Sequence, residues 1–271
     1  MTKLSTVELA IYAVLVLPAA FILSKHSKPG LLGWFYLVAF FTLRIVGGAM
    51  ALSGSSSASI VANIGLSPLI LAAAGILHEA RIYRHRNLNT KVEWIKILLF
   101  HLQVTGGVAL LAAGASGLQS SNPSSSDQAL VKVGIAILTV AWAVLFGWAM
   151  LSLRSSGGVQ GTHAQRLGTM KLLYAVLFSC IFIGIRTLYS LVAMTSNKPN
   201  LNPSTGSLAI RVVLGFLPEL VAVLGFIAVG FYTRAIRDAS QAEPGYEQAG
   251  STMIEMKPQQ QQGGHALLST V

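Results

Sequence analysis

Long apolar runs separated by short polar turns organise this chain. Seven stretches fall at residues 7–24, 31–52, 59–80, 94–116, 129–152, 170–195 and 209–233. Each is close to the roughly 20 apolar residues that a helix needs to cross a hydrocarbon core. The breaks between them are rich in turn formers: Ser27-Lys28-Pro29-Gly30, Ser53-Gly54-Ser55-Ser56-Ser57, Ser120 to Ser126 around Pro123, Gly157-Gly158, and Asn197 to Gly206 with two prolines. The pattern predicts an all-α fold, a polytopic bundle of seven transmembrane helices over residues 1–237. No internal repeat suggests the two matched halves of a secondary transporter.

The pattern stops at Asp238. Residues 238–271 contain a glutamine run at 259–262, the pair Gly263-Gly264 directly after it and scattered charges. With too little apolar surface to bury, they are expected to form a disordered cytosolic tail. The tail ends Ser269-Thr270-Val271, which would suit a groove that adds a strand and captures a free carboxylate. The plainer reading is an unstructured end with only a weak peptide motif.

Composition narrows the picture. The chain has 271 residues, 53% hydrophobic and 10% charged, with a mean hydropathy of +0.64. A soluble domain carries about 25% charged residues, so lipid is the expected solvent for most of this surface. The net charge of +10 raises nucleic acid as a partner. The distribution argues against it, because the basic residues form short clusters at the borders of apolar runs.

Those clusters also give a direction. Lys25 and Lys28 follow the first run, Arg81, Arg84, Arg86 and Lys91 the third, Arg154 and Arg166 the fifth, and Arg234 and Arg237 the seventh. The alternate breaks hold only Lys198 among lysines and arginines. Cytosolic loops carry the excess of basic residues, so the N-terminus is expected outside and the C-terminus in the cytosol. The first run has Glu8 at its start and its positive charges after it, the reverse of a signal peptide, and is expected to be retained. The membrane is expected to be the endoplasmic reticulum or the plasma membrane.

Ionisable residues deep inside the runs are the candidate chemistry. Each costs roughly 2.5–3.5 kcal/mol at mid-helix on insertion scales, so it normally faces a partner or a cavity. Counting rise per residue places Arg44 on the second helix and Arg186 on the sixth in the outer half of the bundle, with Glu219 of the seventh near the midplane. Tyr189 shares a helix face with Arg186. Pro218 before Glu219 frees a backbone carbonyl and can bend that helix. Gly47 and Gly48 let the second helix pack closely, and Asn63, Ser67 and Pro68 bring polar or irregular backbone to the third. Together these predict one polar pocket open to the outer side, lined by Arg44, Asn63, Arg186, Tyr189 and Glu219. The alternative is a buried ion network that only fixes helix packing. Glu8 and Arg211 are placed at the outer helix ends.

Other candidates carry less. His101 and Gln103 lie in the inner half of the fourth helix, where a lone histidine reads first as a packing residue. His78 and Glu79 are expected to be solvated at the end of the third helix. Cys180 reads as a small buried hydrophobe. No paired cysteine, HExxH or repeated His/Asp motif calls for a metal, and no cofactor is implied.

The segments "FFTLRIVGGAM" around Arg44, "IGIRTLYSLV" around Arg186 and Tyr189, and "FLPELVAVLGF" around Glu219 resemble the fungal seven-helix membrane proteins. Among these the chain is most similar to an uncharacterised family of about 230 residues, over residues 5–238. It is more distantly similar to the lipid-translocating exporter-like group. The resemblance implies a seven-helix fold and a fungal setting, and supplies no reaction.

Two functions remain open. One is binding or translocation of an amphipathic lipid-like or small-molecule ligand, since guanidinium groups hold phosphate or carboxylate bidentately. A receptor-like sensor is a variant of it, although no Asp-Arg-Tyr-like triplet follows the third helix, where the chain reads His78-Glu79-Ala80-Arg81. The other is a cofactor-independent membrane enzyme opening or cyclising an epoxide in a hydrophobic secondary-metabolite intermediate. In it, Glu219, Arg186 and Tyr189 would be the catalytic residues, supplying acid and base.

Overall fold

Every apolar run becomes helical, and the turn-forming stretches lie where helices end. The computed structural model describes residues 2–26, 28–55, 57–84, 90–154, 163–196, 198–202 and 206–241. The helices are α1 (Thr2–Lys25), α2 (Lys28–Leu52), α3 (Ala58–Ile64), α4 (Leu66–Arg84), α5 (Thr90–Gly117), α6 (Ser125–Arg154), α7 (His163–Thr195), α8 (Leu208–Ile210) and α9 (Leu217–Gln241). A 3-10 turn, Pro199–Leu201, follows α7, and a π-helix, Arg211–Phe216, joins α8 to α9. No strand occurs among the described residues. Helix α9 continues past Asp238 to Gln241. The end of the chain, with Ser269, Thr270 and Val271, lies outside the described residues.

Six segments are long and apolar enough to cross a membrane: Leu4–Lys25, Gly30–Leu52, Lys91–Gly117, Ser125–Arg154, Arg166–Thr195 and Leu208–Thr233. The remaining expected span, 59–80, is divided between α3 and α4 at Gly65. Proline explains the division. Pro68 has no N–H to give the carbonyl of Ile64, four residues back. The hydroxyl of Ser67 donates to that carbonyl instead, at 2.7 Å.

Helix α4 occupies the centre. It packs against α2, α5, α6 and α7, while α1 touches α2 and α9, and α6 lies between α5 and α7. Short α3 bridges α2 and α5. Every residue of α4 from Leu66 to Ala80 is buried, and so is Arg84. Side chains such as Val14, Leu17, Phe35, Leu98, Leu102 and Leu151 are exposed on the surrounding helices and form the apolar outer surface.

Because protein encloses α4, it carries polar groups that lipid would not accept. The sequence places His78 and Glu79 at a solvated interface; the structure corrects this, with each only 2% exposed. Room for α4 comes from glycine. A Cβ on Gly75 would lie 2.4 Å from the Cα of Gly33 on α2, so the two backbones cross in direct contact.

Candidate functional site

Four helices deliver the site. Arg44 comes from the second half of α2, Arg186 and Tyr189 from α7, Glu219 from the first turn of α9, and Tyr12 from α1. Two guanidinium groups converge on one carboxylate oxygen. Arg44 donates from Nη2 to Oε1 of Glu219, and Arg186 donates from Nε to the same oxygen at 2.8 Å. The Tyr12 hydroxyl donates to the other oxygen, Oε2, at 3.5 Å. Arg186 also donates from Nη1 to the hydroxyl of Ser190, one turn further along α7.

Aromatic rings wall the ions off from lipid. The guanidinium of Arg44 lies over Phe40 at 5.4 Å and that of Arg186 over Tyr189 at 5.7 Å. Tyr12 is packed edge-on against Phe40 and Phe216. Side-chain exposure is 10% for Arg44, 7% for Arg186 and 3% for Glu219, so none of the three faces the hydrocarbon. At the rim, the charges of Arg44, Glu219, Arg211 and Arg186 all act on half-buried Glu8. The assembly thus sets three arginines against two glutamates.

The backbone around Glu219 is irregular because of a proline and a π-helical turn. Pro218 offers no N–H to the preceding turn, and the turn before it winds as the π-helix Arg211–Phe216, with Leu217 donating to Val212, five residues back. A single π-helical turn inside a helix widens it and offers a place to bend, and such turns recur at functional sites.

The expected residues do not all converge. Arg44, Arg186 and Glu219 meet directly. The Tyr189 hydroxyl is held elsewhere, donating to the carbonyl of Leu201 at 3.1 Å, while its ring faces Arg186. Asn63 is on α3, with its side chain outside the described residues. Apolar patterning and buried charge alone do not single out Tyr12 and Ser190. A signal existed for both: Tyr12 is four residues from Glu8 and Ser190 four from Arg186, each pair on one helix face.

Two further polar clusters lie toward the other end of the bundle. The Trp34 indole donates to Oε2 of Glu79 at 3.0 Å, His26 Nε2 is 3.8 Å from Oε1, and Gly30 lies directly against the carboxylate. Arg81 grips Glu93 through Nε and Nη2 at 3.2 and 2.9 Å, bonds Ser152 at 2.7 Å, and lies over the Trp148 ring. His101 bonds the carbonyl of Ile97 and packs on Tyr36, as a packing histidine does. Cys180 is fully buried, and its carbonyl accepts from Trp142. No group of histidine, cysteine and acidic side chains suited to a metal occurs among the described residues.

Six apolar helices long enough to cross a bilayer, packed with a buried helix and an internal ion network, define a multi-pass helical membrane protein. A family model described as a domain of unknown function, DUF7702, matches residues 1–236, and the chain belongs to that family. No curated protein and no solved structure matches it.

Proposed function

We propose that the protein spans the membrane seven times and binds or translocates an amphipathic ligand with an anionic head, in the outer half of the bundle. The seventh span is α4, whose 19 residues reach about 28 Å at the helical rise. Loop charges give the orientation, N-terminus outside and C-terminus in the cytosol. A fungal endoplasmic-reticulum or plasma membrane and a lipid or secondary-metabolite ligand belong to the same proposal.

The observation that carries the reading is the pairing of Arg44 and Arg186 on one carboxylate at the start of a helix preceded by a π-turn and a proline. Guanidinium groups so placed take a carboxylate or phosphate as readily as they take Glu219. A bend at the π-turn would withdraw Glu219 and let a ligand's anion replace it. The test uses purified full-length protein in detergent and a spin-labelled fatty acid. Saturable binding is expected, weakened about tenfold or more in Arg186→Gln by loss of one charge-assisted contact, on the order of 1.5–3 kcal/mol. Glu219→Gln removes the competing carboxylate, so the fatty acid should raise its melting temperature more than that of the unaltered protein. No saturable binding, or an equal shift in both proteins, would leave the network with a packing role only.

A second reading, an epoxide-opening enzyme, draws on one contact: the Tyr12 hydroxyl beside Oε2 of Glu219 pairs a proton donor with a carboxylate. Turnover of an epoxide-bearing terpenoid by the purified protein, lost in Tyr12→Phe, would favour it over binding.

A further inference from the structure

We infer that a second, separate site binds the anionic head group of a membrane phospholipid, in a cavity of about 290 Å³ between the ends of α5, α6 and α7. Its polar lining is Lys132, Lys198, Gln128 and Asn202, and its apolar lining includes Leu118 and Met194. This cavity stands on its own residues and does not depend on the function proposed for the Arg44–Arg186–Glu219 network.

Charge gives the ligand its sign. Both lysines belong to the end of the bundle whose loops are otherwise almost bare of basic residues, yet they converge on one cavity. Among the described residues neither lysine has an ion-pair partner, and no acidic side chain lines the cavity. The nearest acid along α6, Asp127, is committed elsewhere: it accepts from the backbone N–H of Ser124 at 2.8 Å in the helix cap and lies against Gly117. Two ammonium groups in a cavity that no acidic side chain lines among the described residues make a favourable seat for phosphate oxygens.

Position decides between a free anion and a lipid. Lys132 is half-buried and follows Val131, itself a buried lining residue, while Lys198 and Gln128 are exposed. The cavity therefore grades from polar and exposed to apolar, as the boundary between head group and acyl chain does. Leu118, Val131 and Met194 would meet the first methylenes of the lipid, and the lysine stems would run along that surface with their charges toward the water.

The experiment is native mass spectrometry of the full chain released from mixed micelles of phosphatidic acid and phosphatidylcholine. The unaltered protein is expected to retain one phosphatidic acid in at least tenfold preference over phosphatidylcholine. The double variant Lys132→Gln/Lys198→Gln should lose that preference, Lys132→Arg/Lys198→Arg should keep it, and Lys171→Gln, on the far end of α7, should leave it unchanged. Lys198→Glu, at an exposed loop position, gives the same reading if the double variant does not fold. Inorganic phosphate at millimolar concentration should fail to displace the lipid. Displacement by phosphate would assign the cavity to a free anion and overturn the lipid assignment. Equal retention of the two lipids, or a preference unaffected by Lys132 and Lys198 changes, would overturn the site itself.

Discussion

Glu219 is held by donors from three other helices, so removing it and removing one of its partners are unequal events. Glu219→Ala leaves Arg44 and Arg186 facing each other in a water-poor interior. Breaking a buried pair in this way costs about 3–5 kcal/mol. Tyr12→Phe removes one long hydrogen bond of 3.5 Å and leaves the rings around it in place; about 1 kcal/mol or less is expected. Unfolding of the two variants in mixed detergent–denaturant titrations measures the difference, and similar losses would show that the carboxylate is not the hub. At this scale the sequence was informative about charge and poor about partners. Arg44, Arg186 and Glu219 could be matched by depth alone, because helical rise fixes depth. Tyr189 could not be resolved, because its hydroxyl is taken by Leu201, in a turn whose path no periodicity describes.

Helix pairs here are set by where glycine lets backbones touch. On Gly75 an added methyl would collide with the backbone of Gly33, which cannot move without separating α2 from α4. Gly75→Ala is therefore expected to destabilise the protein by about 1–3 kcal/mol or more, the usual range for overpacking. Gly147, on α6, has nothing within 4 Å of the same added atom. Gly147→Ala should be neutral or stabilise by up to about 1 kcal/mol through helix propensity. Melting temperatures of the purified variants separate these outcomes; comparable values would mean the Gly33–Gly75 contact is not tight. The elements themselves were legible as apolar runs, with one exception. The run at 59–80 reads as one helix because a hydropathy pattern registers apolar content and not the missing N–H of Pro68. Its polar end reads as solvated because nothing local reveals that four neighbouring helices enclose it. That misplaced His78 and Glu79.

Across the whole molecule, basic residues cluster at alternate breaks between the apolar runs. A seven-span arrangement puts the two termini on opposite sides. A protease-sensitive tag after Val271 should be reached from the cytosol, and one before Met1 only from the lumen or exterior. Both tags on one side would mean an even number of crossings, with α4 failing to traverse. The same charge bias makes the cavity at Lys132 and Lys198 conspicuous, since the breaks at that end hold no other lysine or arginine.

The enclosure of α4 bears on how the chain is made. An insertion machinery reads each emerging segment against lipid, and α4 ends in His78, Glu79, Arg81 and Arg84 within 19 residues. Charged residues count against entry on that scale. What makes the position of α4 favourable is the set of partners it gains, and α5, α6 and α7 are synthesised after it. In the proposed seven-span arrangement the ribosome releases α4 before most of its shelter exists, and the segment is expected to wait at the membrane surface or in the channel until the later helices arrive. Glycosylation reporters placed after successive helices would follow this. α4 should be only partly inserted in chains ending near residue 120 and fully inserted once α7 is present. Complete insertion of the shortest chains would show that α4 enters lipid unaided.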